Sequence, residues 1–320
     1  MIEPDLPIID PHHHLWHDRP SGRYLIEDLA ADLASGHDVV GTVFMQCGWM
    51  HRTDGPEDFR PVGETEVVSA VAVLAASGAY GKARACAAIV GFADLRSRQV
   101  DAVLEAHRAA GAGRFRGIRH TSAWDDAIVP MTSVIPPRGL LQDQAFLRGL
   151  KRLGELGLTY DSWQYHTQLK DVAKAAEAAP ETRIVIDHVG GPLGCGPWRS
   201  RHDDVVREWT DGMRALAACP NVHVKLGGLA MPVNGFDYHT EARPPGSTRM
   251  AEDWKPWMQT AIELFGANRC MFESNFPVDK GMCSYPVLWN AFKRIAAGAS
   301  AAEKAALFYD TAARFYGIEL

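Results

Sequence analysis

Short runs of apolar, β-branched residues alternate with amphipathic stretches along the chain. The apolar runs predict eight strands, at residues 7–14, 39–48, 84–93, 115–121, 157–164, 183–189, 221–227 and 269–275. The stretches between strands show helical periodicity, clearest at residues 63–77, 97–110, 143–156, 169–179, 203–219 and 300–317. Because the two patterns alternate through the whole length, we predict a single (β/α)8 TIM-barrel domain that spans residues 1–320.

Long segments rich in Pro, Gly and Trp follow four of the predicted strands, at residues 49–62, 122–141, 190–202 and 230–248. In a barrel of this kind the loops at the carboxyl ends of the strands carry the chemistry. These segments are therefore expected to surround the functional site. For residues 234–248 a disordered insert is the alternative.

Three consecutive histidines, His12, His13 and His14, end the first predicted strand. Successive side chains on a strand alternate between its faces, so His12 and His14 are predicted to point one way and His13 the other. Two neutral imidazoles on one face suit a divalent metal ion, or acid/base chemistry near neutral pH. On its own, this pattern is explained equally well by a polar strand end.

Polar side chains that could bind or react end seven of the eight predicted strands. After the histidines of the first strand these are Gln46, Arg119, His120, Gln164, His166, Asp187, His188, Lys225 and Asn275. Core packing does not explain them, because buried polar groups are paired, hydrated or bound to a ligand. Since the carboxyl ends of barrel strands meet at one face, the pattern predicts one polar site there.

The overall composition argues against two classes of partner. With a formal net charge of -6, a sequence pI near 6.1 and scattered Lys and Arg, we expect no nucleic-acid partner. No apolar stretch approaches the ~20 residues that span a bilayer, and no signal peptide is recognisable, so we expect a cytoplasmic protein without a membrane partner. The six cysteines form no C-x-x-C pair, and reduced, structural thiols are expected.

Five motifs resemble those of a known family in order and spacing. They read "IIDPHHHLW", "FRGIRH", "RIVIDHVGGP", "NVHVKLGGL" and "CMFESNFPVD". The chain resembles the amidohydrolase superfamily, in particular the amidohydrolase-related branch that includes 2-pyrone-4,6-dicarboxylate lactonase and sugar-acid lactonases. The resemblance implies a TIM barrel that hydrolyses lactones, esters or amides. It also implies one divalent metal ion, with zinc as the first choice, although some members of the family use none.

Carried over by motif, His12, His14 and His188 are the implied metal-binding and catalytic histidines. The motif of the eighth strand departs from the family, because Asn275 stands where the family usually has an aspartate that acts as a base. An amide cannot take up a proton near neutral pH and is a weaker metal ligand than a carboxylate. We therefore expect Asp279, at the same rim, or Glu273, on the same strand face, to replace that carboxylate.

Three further residues are predicted to bind substrate: Arg119, Gln164 and His166. Arg119 could bind a substrate carboxylate through its planar guanidinium, or it could pair with an acid of the following loop, Asp125 or Asp126. His166 could also be a ligand or a base, but without a motif match a polar loop position is the favoured explanation.

Two charged residues near the predicted site are assigned structural roles. Asp187 is expected to face away from the pore, because it alternates with His188 along the sixth strand, and to pair with a neighbouring backbone group or an arginine. Lys225 is expected to pair with a carboxylate from the next strand.

Together these features predict a hydrolase that acts on a small carbonyl substrate, most plausibly a lactone or cyclic ester that bears a carboxylate. A water held by the histidines, with or without a metal ion, would attack the carbonyl group. The alternatives are a decarboxylase or hydratase of an aromatic or unsaturated acid on the same barrel, and an inactive small-molecule-binding homologue. A homo-oligomer is compatible with the sequence.

Overall fold

The computed structural model describes residues 1–19, 22–128 and 135–320. Eight parallel strands pair in chain order to form one sheet. They are β1 (Ile8–His13), β2 (Val39–Met45), β3 (Arg84–Gly91), β4 (Phe115–Arg119), β5 (Thr159–Ser162), β6 (Arg183–Ile186), β7 (Val222–Leu226) and β8 (Cys270–Phe272). All eight strands lie where the apolar runs predict them.

Helices follow the strands and cover the outside of the sheet. They are α1 (Ile26–Leu33), α2 (Val62–Ala76), α3 (Val100–Ala110), α4 (Gln144–Glu155), α5 (Leu169–Ala178), α6 (His202–Ala217), α7 (Ser247–Phe265), α8 (Tyr285–Ile295), α9 (Ala301–Ala305) and α10 (Thr311–Tyr316). Helix α4 begins where the Asp143 side chain accepts hydrogen bonds from two backbone N–H groups of its first turn. Among the described residues no helix is both long enough and apolar enough to cross a membrane.

The last strand returns to the first and nearly closes the sheet into a barrel. Beyond the end of β8, the N–H of Asn275 donates to the carbonyl of His12 at 2.9 Å, and the N–H of His14 donates to the carbonyl of Phe276 at 2.7 Å. The Asp10 carboxylate adds a bond at the same seam by accepting from the N–H of Ser274 at 2.9 Å. The predicted (β/α)8 barrel is therefore confirmed.

Two apolar layers hold the barrel together. The larger lies between the sheet and its surrounding helices. The smaller lies inside the sheet, where residues such as Val43 and Val185 pack against Phe315 and Tyr316 of α10. The C-terminal helix thus fills part of the barrel interior and leaves the carboxyl ends of the strands to the long loops.

Some strands end earlier than the apolar runs predict. Strand β6 stops at Ile186 instead of residue 189, because His188 and Val189 adopt left-handed backbone angles, with φ of 54° and 53°. Such angles break the alternation of side chains that a strand imposes. The expectation for the loop at 122–141 falls partly on residues 129–134, which lie outside the described residues.

All six cysteines are free thiols, in agreement with the sequence. Five are buried, and Cys195 is half-buried.

Candidate active site

Three imidazole rings lie side by side at the carboxyl ends of β1 and β6. The Nε2 atoms of His12 and His14 are 3.3 Å apart, and the ring centres of His12 and His188 are 4.6 Å apart. His13 turns to the other side of β1, where its Nε2 is 2.8 Å from the hydroxyl of Thr42. This is the arrangement that strand alternation predicts for the three consecutive histidines.

Hydrogen-bond partners fix the tautomers of two of these rings. The Nδ1 of His14 is 2.8 Å from the carbonyl oxygen of Met45, and that of His188 is 2.7 Å from Glu273 Oε1. A carbonyl or carboxylate oxygen only accepts, so each Nδ1 carries the hydrogen. In the neutral form of each ring the lone pair is then on Nε2, and both rings line the same cavity.

The ring of His12 has two possible tautomers. Its Nδ1 lies 2.8 Å from Glu273 Oε2 and 3.2 Å from the Lys225 ammonium. With the hydrogen on Nδ1, the Nε2 lone pairs of His12 and His14 face each other, an arrangement that a cation would stabilise. With the hydrogen on Nε2, His12 donates to His14. Burial and the charge of Lys225 lower the pKa of His12, so the ring is neutral at pH 7 in either case.

Glu273 connects two of the histidines. Its Oε1 accepts from both the backbone N–H and the Nδ1–H of His188, at 3.0 and 2.7 Å, and its Oε2 faces His12. Burial would raise the pKa of this carboxyl, but the two histidines lower it further than burial raises it. Together with His12 and His188, Glu273 forms a group whose potential ligand atoms all lie within 4.8 Å of one another.

A buried cluster of charges lies next to the histidines. The ammonium of Lys225 is 2.7 Å from Asp161 Oδ1 and 3.0 Å from Asp187 Oδ1, and Arg119 Nε is 2.8 Å from Asp187 Oδ2. Despite burial, Lys225 and Arg119 hold the pKa of Asp187 well below its usual range, while burial raises the pKa of Asp161 to about 6. At pH 7 three carboxylates, including Glu273, thus face two cations, which leaves one negative charge beside the imidazoles.

The cavity above the histidines is lined by polar and aromatic side chains from the active-face loops. Its lining consists of His14, Trp16, Arg19, Gln46, Cys47, Arg119, Thr121, Trp163, His188, Met231, Asn275 and Val278. Five of the residues predicted from the sequence to form the site are among them, namely His14, Gln46, Arg119, His188 and Asn275.

The pairing of Arg119 corrects two expectations. Its ionic partner is Asp187, whereas Asp125 accepts from the Trp198 indole and Asp126 from the Trp124 indole. Asp187 therefore points into the barrel, and the expectation that it faces away was wrong. Asp187 is still extended and points inward like Val185, two residues earlier, while His188 also reaches the site because its left-handed backbone breaks the alternation.

Asn275 and Asp279 form a buried pair at the rim. The Nδ2 of Asn275 donates to Oδ1 of Asp279 at 2.9 Å. The side-chain atom that Asn275 can present to the cavity is therefore its own Oδ1. The second oxygen of Asp279 accepts weakly from the N–H of Ala230 at 3.4 Å. Burial raises the pKa of Asp279 well above its ordinary value. Of the two carboxylates considered from the sequence, Glu273 contacts the histidines and Asp279 contacts Asn275.

Two of the predicted substrate-binding residues lie outside the lining of the cavity. The amide oxygen of Gln164 accepts from the Ser162 hydroxyl at 2.6 Å, and His166 packs edge-on against Trp198. Their role in substrate binding stays a prediction without support from this geometry. His120 is also turned away, between the rings of Phe92 and Phe146.

Sequence reasoning did not identify Arg19 as part of the cavity. This arginine lies six residues after β1, in a segment without strand or helix periodicity. No sequence pattern therefore predicted where its side chain points. Glu273 was noticed only as a substitute base, although its position two residues before Asn275 on the same face could have indicated a partner for the histidines.

The chain is similar in sequence and in structure to several known proteins. An L-fucono-1,5-lactonase of Burkholderia multivorans is 29% identical over 97% of this chain and 96% of its own length. An uncharacterized Sinorhizobium fredii protein, y4mH, is 32% identical over 98% of this chain and 99% of its own. A crystal structure of a Burkholderia multivorans amidohydrolase with bound zinc superposes with a TM-score of 0.74 at 26% identity, covering 98% of this chain and 99% of that one.

The sequence model of the amidohydrolases matches residues 9–318, which is nearly the whole chain. The chain therefore belongs to the amidohydrolase family of hydrolases.

Proposed function

We propose that this protein hydrolyses the ring ester of a small lactone that bears a carboxylate, with a divalent metal ion, zinc, held by His12, His14 and His188. The observation that carries the proposal is the clustering of these rings beside one cavity, which His14 and His188 line, with 3.3 Å between the Nε2 atoms of His12 and His14 and 4.6 Å between the ring centres of His12 and His188. The likeness to an L-fucono-1,5-lactonase supports lactone chemistry, and the likeness to a zinc-containing amidohydrolase supports the metal.

Of the three histidines, His12 and His188 belong with Glu273 to a group whose potential ligand atoms lie within 4.8 Å of one another, and His14 adds an Nε2 atom 3.3 Å from that of His12. Three histidines with an open position for water or substrate are a known ligand pattern of catalytic zinc. Asp161, Asp187 and Glu273 outnumber the buried cations Lys225 and Arg119 by one, and the Arg19 guanidinium adds a positive charge at the cavity. When bound, a divalent ion would polarise a carbonyl group and lower the pKa of water toward ~7.

The protein's own groups orient the imidazoles. Glu273 holds the rings of His12 and His188, and the carbonyl of Met45 holds that of His14. Partners of this kind fix the tautomer and direction of histidines that bind metals. Neutral imidazoles are required for metal binding, and burial, His12, Arg119 and Arg19 together lower the pKa of His14 well below its ordinary value.

In the proposed reaction, water attacks the carbonyl carbon of the lactone. The bond between that carbon and the ring oxygen breaks, and the ring oxygen takes up a proton to give a hydroxy acid. Arg119 binds the substrate beside His188, where its Nη2 lies 3.5 Å from His188 Nε2, and stabilises the negative charge that develops on the carbonyl oxygen. Asn275 contributes a hydrogen bond at the rim and cannot serve as the base. In this scheme the proton that water gives up passes to solvent, and solvent supplies the proton that the ring oxygen takes up.

The test is an assay of the purified protein on a panel of lactones and phenolic acids, with proton release and carbon dioxide measured separately. Metal content is measured on protein purified without added metal. We expect acid release from lactones without carbon dioxide, loss of turnover after chelation, and recovery with zinc. Carbon dioxide from a phenolic acid would indicate decarboxylation instead, and lactone binding without turnover of either class would indicate a binding protein.

A further inference from the structure

Arg19 places a second guanidinium at the cavity, in a setting different from that of Arg119. Both residues line the same cavity as His14 and His188. Arg119 is neutralised by Asp187, whereas Arg19 forms no ion pair with any acid in the part of the chain that the structure describes. Its Nη2 donates to the carbonyl of Cys47, which is a neutral partner. Its positive charge is therefore available to a ligand.

The neighbours of Arg19 hold it in position. The guanidinium lies over the ring of Trp16, 4.6 Å from the ring centre, a distance typical of a cation–π contact. Trp16 is buried, exchanges two backbone hydrogen bonds with Tyr24 at 2.9 and 2.8 Å, and donates its indole N–H to the carbonyl of Gly22. Its ring also stacks near His14, with 5.8 Å between ring centres. Arg19 is thus fixed next to the histidines, unlike a mobile arginine of the surface.

We propose that Arg19 binds the carboxylate of the substrate and makes the enzyme prefer anionic lactones to neutral ones. This inference rests on the proposed lactone hydrolysis and deepens it by naming the residue that selects the substrate. Although Nη2 donates to the carbonyl of Cys47, the remaining N–H groups of the guanidinium can donate hydrogen bonds to both oxygens of a carboxylate. Arg119, already bound to Asp187, is left to act on the carbonyl group.

The first experiment compares two lactones with the same ring, one bearing a carboxylate and the other the corresponding primary amide. The variants are Arg19→Gln, Arg19→Lys and, as a matched control for lost charge, Arg23→Gln, whose side chain is exposed and faces Glu27 and Asp28. We expect Arg19→Gln to raise KM for the carboxylate lactone about 30-fold, with kcat nearly unchanged. KM for the amide should stay within about twofold. Arg19→Lys should recover part of the loss, because lysine keeps the charge without the planar fork.

Equal losses on both lactones would mean that Arg19 only supports the cavity, and unchanged KM values for both would mean that the carboxylate binds elsewhere. Either result overturns the inference while leaving lactone hydrolysis intact.

A second measurement does not depend on turnover. The carboxylate lactam and the amide lactam of the same ring are titrated into each variant by calorimetry. We expect Arg19→Gln to weaken binding of the carboxylate lactam about 30-fold and to leave the amide lactam unaffected. If the wild-type protein binds the carboxylate lactam through Arg19 but hydrolyses no lactone, the proposed function fails and the anion site stands. If it binds both lactams equally, the anion site fails.

Discussion

The side-chain amide of Asn275 donates a hydrogen bond to Asp279, with 2.9 Å between Nδ2 and Oδ1. Asn275 lines the cavity, while Asp279 is buried behind it. Burial, with a contribution from Glu273, raises the pKa of Asp279 well above its ordinary value. A neutral amide thus lies at the rim where the family usually has a charged aspartate. The nearest carboxyl group, that of Asp279, accepts a hydrogen bond from this amide and does not line the cavity.

Replacing Asn275 with Asp is expected to tighten zinc binding. A carboxylate oxygen at this position adds a negatively charged ligand, which divalent ions prefer to a neutral amide. We expect a decrease in the Kd for zinc of about tenfold, as for one charged ligand contact of ~1.4 kcal/mol. Competition with a chromophoric chelator at pH 7 measures it. Because two carboxyl groups would then be neighbours, the gain should shrink as pH falls and one of them takes up a proton.

Asp279→Asn is the control for this change. An amide oxygen at residue 279 can still accept from Asn275, so zinc affinity and kcat are expected to remain within about threefold of the wild-type values. Asp279→Ala removes the acceptor and should lower kcat further. A large loss for Asp279→Asn would show that its ionised form acts in the reaction. An unchanged Kd for Asn275→Asp would place residue 275 beyond the reach of the metal.

Glu273→Gln tests whether the carboxylate orients the histidines. Glutamine has one accepting oxygen, so its NH2 group would face the N–H of either His12 or His188. We expect zinc affinity to fall about 10- to 100-fold, which is the usual cost of losing a partner that orients a metal ligand. The measurement is the same chelator competition, with kcat determined at saturating zinc. If kcat at saturating zinc is normal and the zinc affinity is unchanged, the contacts of Glu273 serve stability alone.

The barrel and the histidine pair could be predicted from the sequence because both depend on short-range periodicity. Apolar runs marked all eight strands, and alternation along β1 separated His13 from His12 and His14. Both the apolar runs and the alternation of side chains depend only on residues a few positions apart, so the sequence shows them directly.

The ion pairs could not be predicted, because they join residues far apart in the chain. Asp187 was assigned the wrong direction because that direction was inferred from His188, whose left-handed backbone breaks the alternation of the strand. Arg119 pairs with an acid 68 residues away, whereas the acids considered from the sequence, Asp125 and Asp126, lie in the next loop. Arg19 lies in an irregular segment whose direction depends on its packing against Trp16.

His107 is expected to make stability depend on pH between about 4 and 6.5. Burial lowers its pKa from 6.5 to about 4, and the ring is held by Thr65 at Nδ1 and by the carbonyl of Phe92 at Nε2. In this interval the unfolded chain binds the proton and the folded protein does not, so stability is lost as pH falls from 6.5 toward 4. With 1.36 kcal/mol per pKa unit, the loss is about 3 kcal/mol.

The free energy of unfolding in urea, measured from pH 4 to pH 7, checks this expectation. The side chain of His107→Gln cannot titrate, so the free energy of unfolding of this variant should fall less steeply with decreasing pH. The difference in slope should correspond to at most one proton taken up on unfolding. Equal slopes for the variant and the wild-type protein would contradict the expectation that His107 stays neutral in the fold.

Lys225 is expected to stabilise the barrel by neutralising carboxylates that cannot reach water. Its ammonium and both acids, Asp161 and Asp187, are fully buried. Lys225→Met would leave these two carboxylates with Arg119 as the remaining cation of the cluster, and breaking a buried pair in this way costs about 3–5 kcal/mol. The free energy of unfolding in urea at pH 7 measures the loss.

Two further variants test whether the buried charges cause that loss of stability. Asp161→Asn in the Lys225→Met background removes one uncompensated carboxylate and should restore part of the stability, because the amide can still accept from the Tyr316 hydroxyl. Lys82→Met breaks an ion pair with Asp38 in which the lysine is 78% exposed, and should cost less than about 1 kcal/mol. If Lys225→Met is no more damaging than Lys82→Met, the buried carboxylates are not ionised at pH 7. The excess negative charge beside His12 would then be absent.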